Sequence, residues 1–393
     1  MQEQRTYLDF NASAPLHPGA RAAMLAAMDC AGNPSSIHGE GRAARAMIET
    51  ARAQIAGLAG VPSAQVVFTS GGTEAANLAL APDMTVQNHL TRFGGVFASA
   101  GEHACVLSGH RFDADQLRIV PLARDGVIDL AALADMLAAS PQPMMLALQA
   151  ANNETGVIQP VAQAAAMVHA RGGLVVCDAV QAAGKIDCTM ARLGADMLVL
   201  SAHKLGGPKG VGALVLASPA THPSAGLVRG GGQERGARAG TENVTAIAGF
   251  GAAAVVAQAG MAQAGMAQEA VRLAQLRDKL EDFLRDIAAD VVVFGQGVAR
   301  LPNTSAFAVP GLSAETALIA LDLAGVAVSS GSACSSGKVK RSHVLNAMAV
   351  DPGLALGALR ISLGWSTVPS DVTAFAEAFE VIVRRARRLK NAA

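Results

Sequence analysis

The chain has 393 residues, 51% of them hydrophobic, with 31 Lys plus Arg set against 31 Asp plus Glu. That length can bury a large core and implies two or three domain-sized units. The balanced charge offers neither the basic field of a nucleic-acid binder nor an acidic tail, so small-molecule chemistry is the leading expectation.

The opening MQEQRTYLDF carries Glu3 and Asp9 and lacks a charged-then-apolar leader pattern. The longest weakly polar stretch, Val244 to Ala257, falls short of the roughly 20 residues that cross a bilayer. A cytoplasmic protein with no membrane and no nucleic-acid partner is therefore expected. Short apolar runs then alternate with helical patterns: VVFTS (66–70), GGVFAS (94–99), MMLALQA (144–150), GGLVVCDAV (172–180), MLVLSAH (197–203) and GVGALVLA (210–217). Strands followed by helices predict an α/β fold with a mostly parallel sheet covered on both faces. Pro160 opens PVAQAAAMVHARG and Gly172 closes it, the proline-first, glycine-last signature of a crossover helix.

Residues 256–288 read as a helix, with an AQAGM duplication, that leads out of the large domain. A strand (SAFAVP), a helix capped by Ser313, strands in VAVSSG and ALRISLGW, and a last helix capped by Ser370 follow, as in a smaller α+β domain. The predicted division is a large domain at 16–258 and a small one built from 1–15 plus 259–393.

Three places carry chemistry. In VVFTSGGTEAANLAL (66–80) a strand, a Gly-Gly turn and a helix present free N–H groups and the positive end of a helix dipole, a phosphate site, although Gly-Gly-Thr also caps ordinary helices. In DAVQAAGK (178–185) the carboxylate of Asp178 ends a buried strand, where ligands of α/β sheets bind. A protonated pyridine nitrogen could pair with it there, or Asp178 could cap the next turn. In SAHKLGGPKG (201–210) Lys204 ends an apolar run, the setting of a Schiff-base lysine; Lys185 and Lys209 read as surface charges. The five cysteines, Cys30, Cys105, Cys177, Cys188 and Cys334, form no Cys-x-x-Cys pair, which argues against a disulfide scaffold and a zinc site. Cys177, in the apolar LVVCD, reads as a buried small hydrophobe. GSACSSGKV lacks the spacing of a Walker loop.

The blocks GNPSSIHGEGR (32–42), FTSGGTEAANLA (68–79), ANNETGVIQP (151–160), CDAVQAAGK (177–185), SAHKLGGPKGVGAL (201–214), GGGQERGARAGTENV (230–244), SSGSACSSG (329–337) and LRISLG (359–364) run in order along the chain. Together they resemble the cysteine desulfurases of the class V aminotransferase group, in the long-loop form of iron-sulfur cluster assembly and nitrogen fixation. The resemblance implies a fold-type I pyridoxal-phosphate enzyme that converts L-cysteine to L-alanine and passes the sulfur to its own cysteine as a persulfide. Gly72, Thr73, Ser201 and His203 would hold the cofactor phosphate, with Thr241 reaching it from the partner subunit of a homodimer. His103 would stack on the pyridine ring and move protons, Asp178 would pair with the ring nitrogen, and Gln181 and Asn153 would approach the ring oxygen. Lys204 would carry the cofactor, Arg360 would take the substrate carboxylate in a bidentate fork with Asn33 and Asn153 nearby, and Cys334, on a loop of the small domain, would be the nucleophile.

The implied partners are a sulfur acceptor or an iron-sulfur scaffold, on which Cys334 could touch a nascent cluster; no metal is expected in the enzyme alone. Three positions depart from the resemblance: Cys105 two residues after His103, Gly206 where relatives carry an aromatic or histidine, and the basic run KVKR (338–341), which leaves partner docking open. A selenocysteine lyase or a related class V transaminase is the alternative enzyme. A cofactor-binding scaffold is the alternative outside catalysis, disfavoured because the Lys, Asp, His and Cys positions all hold reactive types.

Overall fold

The computed structural model describes residues 5–262, 265–331 and 341–392. Its main sheet has seven strands in the order Val66–Thr69, Gly212–Leu216, Met197–Ser201, Leu174–Asp178, Met145–Gln149, Val96–Ser99 and Leu117–Val120. The last five in that order pair in parallel, while Gly212–Leu216 runs antiparallel to both of its neighbours. Two reversals restore the direction of Val66–Thr69. The carboxyl ends of Val66–Thr69, Met197–Ser201, Leu174–Asp178, Met145–Gln149 and Val96–Ser99 therefore open on one edge, where an α/β sheet binds ligands.

The strand runs are continuously apolar because both sheet faces are covered. Phe97, Leu146, Leu148, Val175, Cys177, Leu198 and Leu200 face one layer with Ile48, Ile55 and Phe250. Alternate residues such as Ala147, Val176 and Val199 face the other with Leu78, Met84 and Phe93. This is the period-two alternation of a strand, with apolar residues in both phases. Cys177 is fully buried in the first layer, as its apolar run predicts.

A second, antiparallel sheet runs Val292–Val293, Thr304–Ala308, Leu359–Ser362, Ser329–Ser330. Helices Gly265–Ile287, Ala314–Leu323 and Pro369–Ala392 cover it, around Phe307, Phe375 and Phe379. The N-terminal Thr6–Tyr7 pairs in parallel with Val326–Ala327, so both ends of the chain build this unit.

Several elements differ from the sequence reading. The stretch read as a helix at 256–288 is helical on both sides of residues 263–264, over Val244–Ala262 and Gly265–Ile287. The first begins earlier because it is apolar on all sides, so no amphipathic period marks its start. Ser313 caps its helix, accepting from the Thr316 N–H. Ser370 does not cap the last helix: Pro369 occupies the first position, and Asp371 accepts the Val368 N–H at 2.9 Å. VAVSSG divides at Val328, its two halves pairing with different sheets. The hairpin Asp83–Val86 to His89–Arg92 had no sequence signal, because Gln87 and Asn88, rather than glycine, take the positive φ values of its turn.

Phe379 meets Phe307 edge-on at 5.5 Å and stacks on Phe375 at 5.3 Å, fully buried. Phe379→Ala should cost about 3–5 kcal/mol by denaturant unfolding; an unchanged midpoint would show that this cluster does not hold the second unit together.

Candidate active site

A cavity of about 750 Å³ opens at the shared edge of the sheet. Its first wall follows the strand Val66–Thr69, where the helix Gly72–Ala79 begins with its N-terminus toward the cavity. A Cβ at Gly72 would lie 3.0 Å from Val180 and 3.4 Å from Ser201, so only glycine lets this helix start come so near two strand ends. Gly72, Thr73, Ser201 and His203 all line this region. Burial and the neighbouring Lys204 and Lys209 lower the His203 imidazole to about 4, leaving it neutral, with Nδ1 3.3 Å from the Ser13 hydroxyl. Glu74 stands at the same helix start. Burial raises its carboxyl, but hydrogen bonds from Ser70 and Arg238 outweigh that and hold it below the usual range.

Lys204 sits in a short turn after Met197–Ser201. Its Nζ donates to the carbonyl oxygens of Asn11 (2.5 Å) and Ala12 (2.9 Å). Burial, then the Arg360 cation, lowers its pKa to about 8 against the pull of Asp9 and Asp178. Asp178 lies beside it, its carboxyl raised by burial; Oδ1 accepts the Val180 N–H at 2.9 Å. It therefore makes the turn contact and lines the cavity, so the two sequence readings of Asp178 are compatible. His103 begins a short helix, and its Nδ1 accepts the Cys105 N–H at 3.2 Å, which leaves Nε2 to carry the ring proton. Burial lowers its pKa as well, so the ring is neutral.

Arg360, on Leu359–Ser362, is 4% exposed. Its Nη1 donates to the Asn153 carbonyl at 3.0 Å and its Nη2 to Asp9 Oδ1 at 2.7 Å, while Nε has no partner among the described residues. Ser329 donates to the other oxygen of Asp9 at 2.8 Å. Gln181 completes this wall, donating to the Asn11 carbonyl at 2.9 Å.

The cavity thus gathers Gly72, Thr73, His103, Asn153, Asp178, Gln181, Ser201, His203, Lys204 and Arg360. Asn33 is not among them. It lies exposed between two helices, its side chain accepting the Ser35 N–H. Thr241 is exposed and outside this chain's own cavity. Cys334 and the basic run 338–340 lie outside the described residues. Lys185, read as a surface charge, is instead tied to Gln181. Gly206 has a φ of +82°, and a Cβ there would meet His17 at 3.3 Å; His17 packs edge-on to Trp365 and fills that side. Asp9, Asn11 and Ser329 were missed, because the only signal for them is a position beside strands brought in from the other end of the chain.

The donor set fits pyridoxal phosphate. A glycine-started helix offers N–H groups to a phosphate, a buried carboxyl faces the cavity, a lysine amine lies near it, and a buried arginine retains an unpartnered N–H.

The comparisons agree with this geometry. The family model for class-V aminotransferases matches residues 6–375. A cysteine desulfurase of Cereibacter sphaeroides is 41% identical over 392 residues, covering 98% of this chain and 97% of that protein. An IscS-like cysteine desulfurase of Mycobacterium tuberculosis is 36% identical, with 98% of each chain covered. Among solved structures, a NifS-like protein from Rickettsia africae superposes with a TM-score of 0.84 at 33% identity, covering 97% of this chain and 100% of that one.

In protein freed of any carbonyl ligand, the part of amine acylation lost in Lys204→Ala should rise with pH around an apparent pKa of about 8. A rise only near ~10.4, the value of an ordinary lysine, would show that Lys204 is solvated and the cavity not preset.

Proposed function

The chain belongs to the class-V aminotransferase family and is a cysteine desulfurase, and we propose that the cavity around Lys204 is where it turns L-cysteine into L-alanine with pyridoxal phosphate as cofactor. One observation carries this reading: an amine held, among the described residues, by backbone carbonyls alone, lowered to about 8, in one cavity with Asp178 and Arg360.

When bound, pyridoxal phosphate supplies an electron sink for negative charge developing on the substrate carbons. The N-terminus of Gly72–Ala79, with Thr73, Ser201 and neutral His203, would hold its phosphate, and Asp178 would favour a protonated ring nitrogen. Arg360 would orient the substrate through its carboxylate, its guanidinium already fixed by Asn153 and Asp9. Lys204, lowered to about 8 and so holding a larger neutral fraction than an ordinary lysine, would take the proton from the substrate Cα, and His103 would move a proton at Nε2. Cys334 would supply the sulfur acceptor. Its thiolate forms a sulfur-sulfur bond to the substrate sulfur as the carbon-sulfur bond breaks. The electron pair stays with carbon, which gains a proton and ends as the methyl of alanine.

A homodimer with shared sites belongs to the same proposal, supported by Thr241 standing exposed and away from its own cavity. So does cytoplasmic sulfur delivery to an acceptor or an iron-sulfur scaffold, supported by the likeness to an IscS-like protein.

Cys334→Ser should keep cofactor binding and the absorbance change on adding cysteine, while alanine and persulfide formation stop, because a hydroxyl is a far weaker nucleophile than a thiolate. Mass spectrometry finding the extra sulfur at Cys105 would overturn the assignment. Mixing Lys204→Ala with Thr241→Val chains should restore activity through heterodimers that hold one intact site. A mixture no more active than its parents would show that the sites are not shared.

A further inference from the structure

Lys185 stands at the end of the turn that follows Leu174–Asp178, and no step above uses it. Its Nζ donates to two oxygens of one residue, the Gln181 carbonyl at 2.8 Å and the Gln181 side-chain Oε1 at 3.3 Å. Gln181 is 5% exposed and lines the cavity. Its Nε2 donates to the Asn11 carbonyl at 2.9 Å, the same oxygen that receives Lys204 Nζ.

A side-chain amide has an acceptor end and a donor end of nearly equal shape, so packing alone does not decide which way it points. Two neighbours decide it here, the Asn11 carbonyl, which only accepts, at one end and Lys185 at the other. A charged amine has only N–H groups to give, so it captures the amide oxygen and leaves the nitrogen to face the opposite way. That nitrogen has two hydrogens and makes one hydrogen bond among the described residues. We propose that Lys185 is a positioning residue, which locks the Gln181 amide so that the cavity wall presents an N–H donor to an oxygen of the bound cofactor, an inference that rests on the pyridoxal-phosphate reading above.

Burial, with Lys204 and Arg360 nearby, lowers Lys185 to about 7. A neutral amine still has two N–H groups for its two acceptors, so both contacts can persist after deprotonation, but its new lone pair makes the lock tightest in the charged form. Burying an amine here is costly, and a purely space-filling residue would avoid that cost.

The test is a double-mutant cycle on affinity for pyridoxal phosphate, read by absorbance titration of the cofactor-free protein, together with the pH titration of the bound absorption band. Lys185→Met should weaken binding ~10-fold, the worth of about one hydrogen bond, and move the band's titration. Gln181→Met should do the same, and the double variant should lose nothing further, because Lys185 acts through Gln181. If Lys185→Met does not fold, Lys185→Gln, which brings an acceptor that lets the neighbouring amide turn over, takes its place with the same outcomes expected. Wild-type affinity and titration in the lysine variant, or its full loss repeated in the Gln181→Met background, would overturn the inference while leaving the function reading intact. A wild-type protein that does not bind pyridoxal phosphate would remove both.

Discussion

The two hydrogen bonds from Lys204 to the carbonyls of Asn11 and Ala12 are the contact on which the cavity depends. Carbonyl oxygens satisfy an ammonium without neutralising it, so burial still favours the neutral amine, and the lysine settles near the pH at which it can act. A carboxylate in the same place would hold the proton and the side chain more tightly. The carbonyls themselves are fixed from the second unit. Asn11 donates from its backbone to Ser362 and from its side chain to Thr304, and accepts from Asn303, all in the buried interior. Lys204, just past a strand of the large sheet, is thus set by a segment from the start of the chain that is bound to strands near its end.

Arg360 repeats this logic with opposite charges. Its strand belongs to the second unit, Asp9 to the N-terminal segment and Asn153 to the loop after Met145–Gln149. A buried ion pair seldom adds much net stability, since desolvation offsets the Coulomb gain, but its geometry is strongly enforced because a lone buried charge is so unfavourable. Here the pair fixes where one guanidinium points, across a junction where either partner alone would be free to turn. Another buried pair acts similarly: Glu234 takes both terminal nitrogens of the Arg52 fork and the Phe68 N–H. It sits in a loop where Glu234 and Arg235 both hold positive φ, a strain that persists only when the surroundings impose it. Thr241 lies a few residues beyond that clamp.

What could be read from the sequence follows the range of the forces involved. The strands around the cavity were legible because both faces are buried and their apolar runs are unbroken. Asp178 and Lys204 were legible because each ends such a run with a residue type that burial normally excludes, and Gly72 because a Gly-Gly turn joins such a run to a helix. His103, Gln181 and Arg360 came only from the resemblance, since a histidine or an arginine in a mixed segment carries no local signal. Asp9, Asn11 and Ser329 had none either, because their roles arise from pairing between the two ends of the chain. Lys185 was misread because a lysine seven residues past a strand ordinarily reaches water; the tight turn at 179–184 folds it back onto Gln181 instead.

The cysteines show how the same electrostatics constrain the chemistry. Cys105 lines the cavity, yet burial, Asp178 and Glu102 all raise its thiol far from the thiolate form. Cys177 is fully buried and raised likewise, and burial with Asp187 pushes Cys188 up to about 12. Cys30 lies outside the cavity lining. Sulfur transfer needs a thiolate that meets the substrate sulfur. A pocket that buries the Asp178 and Glu102 carboxyls in and behind its walls suppresses any thiolate fixed there. No cysteine fixed in those walls meets that condition, and the proposal of Cys334 as the acceptor rests on its place in the SSGSACSSG block of the resemblance.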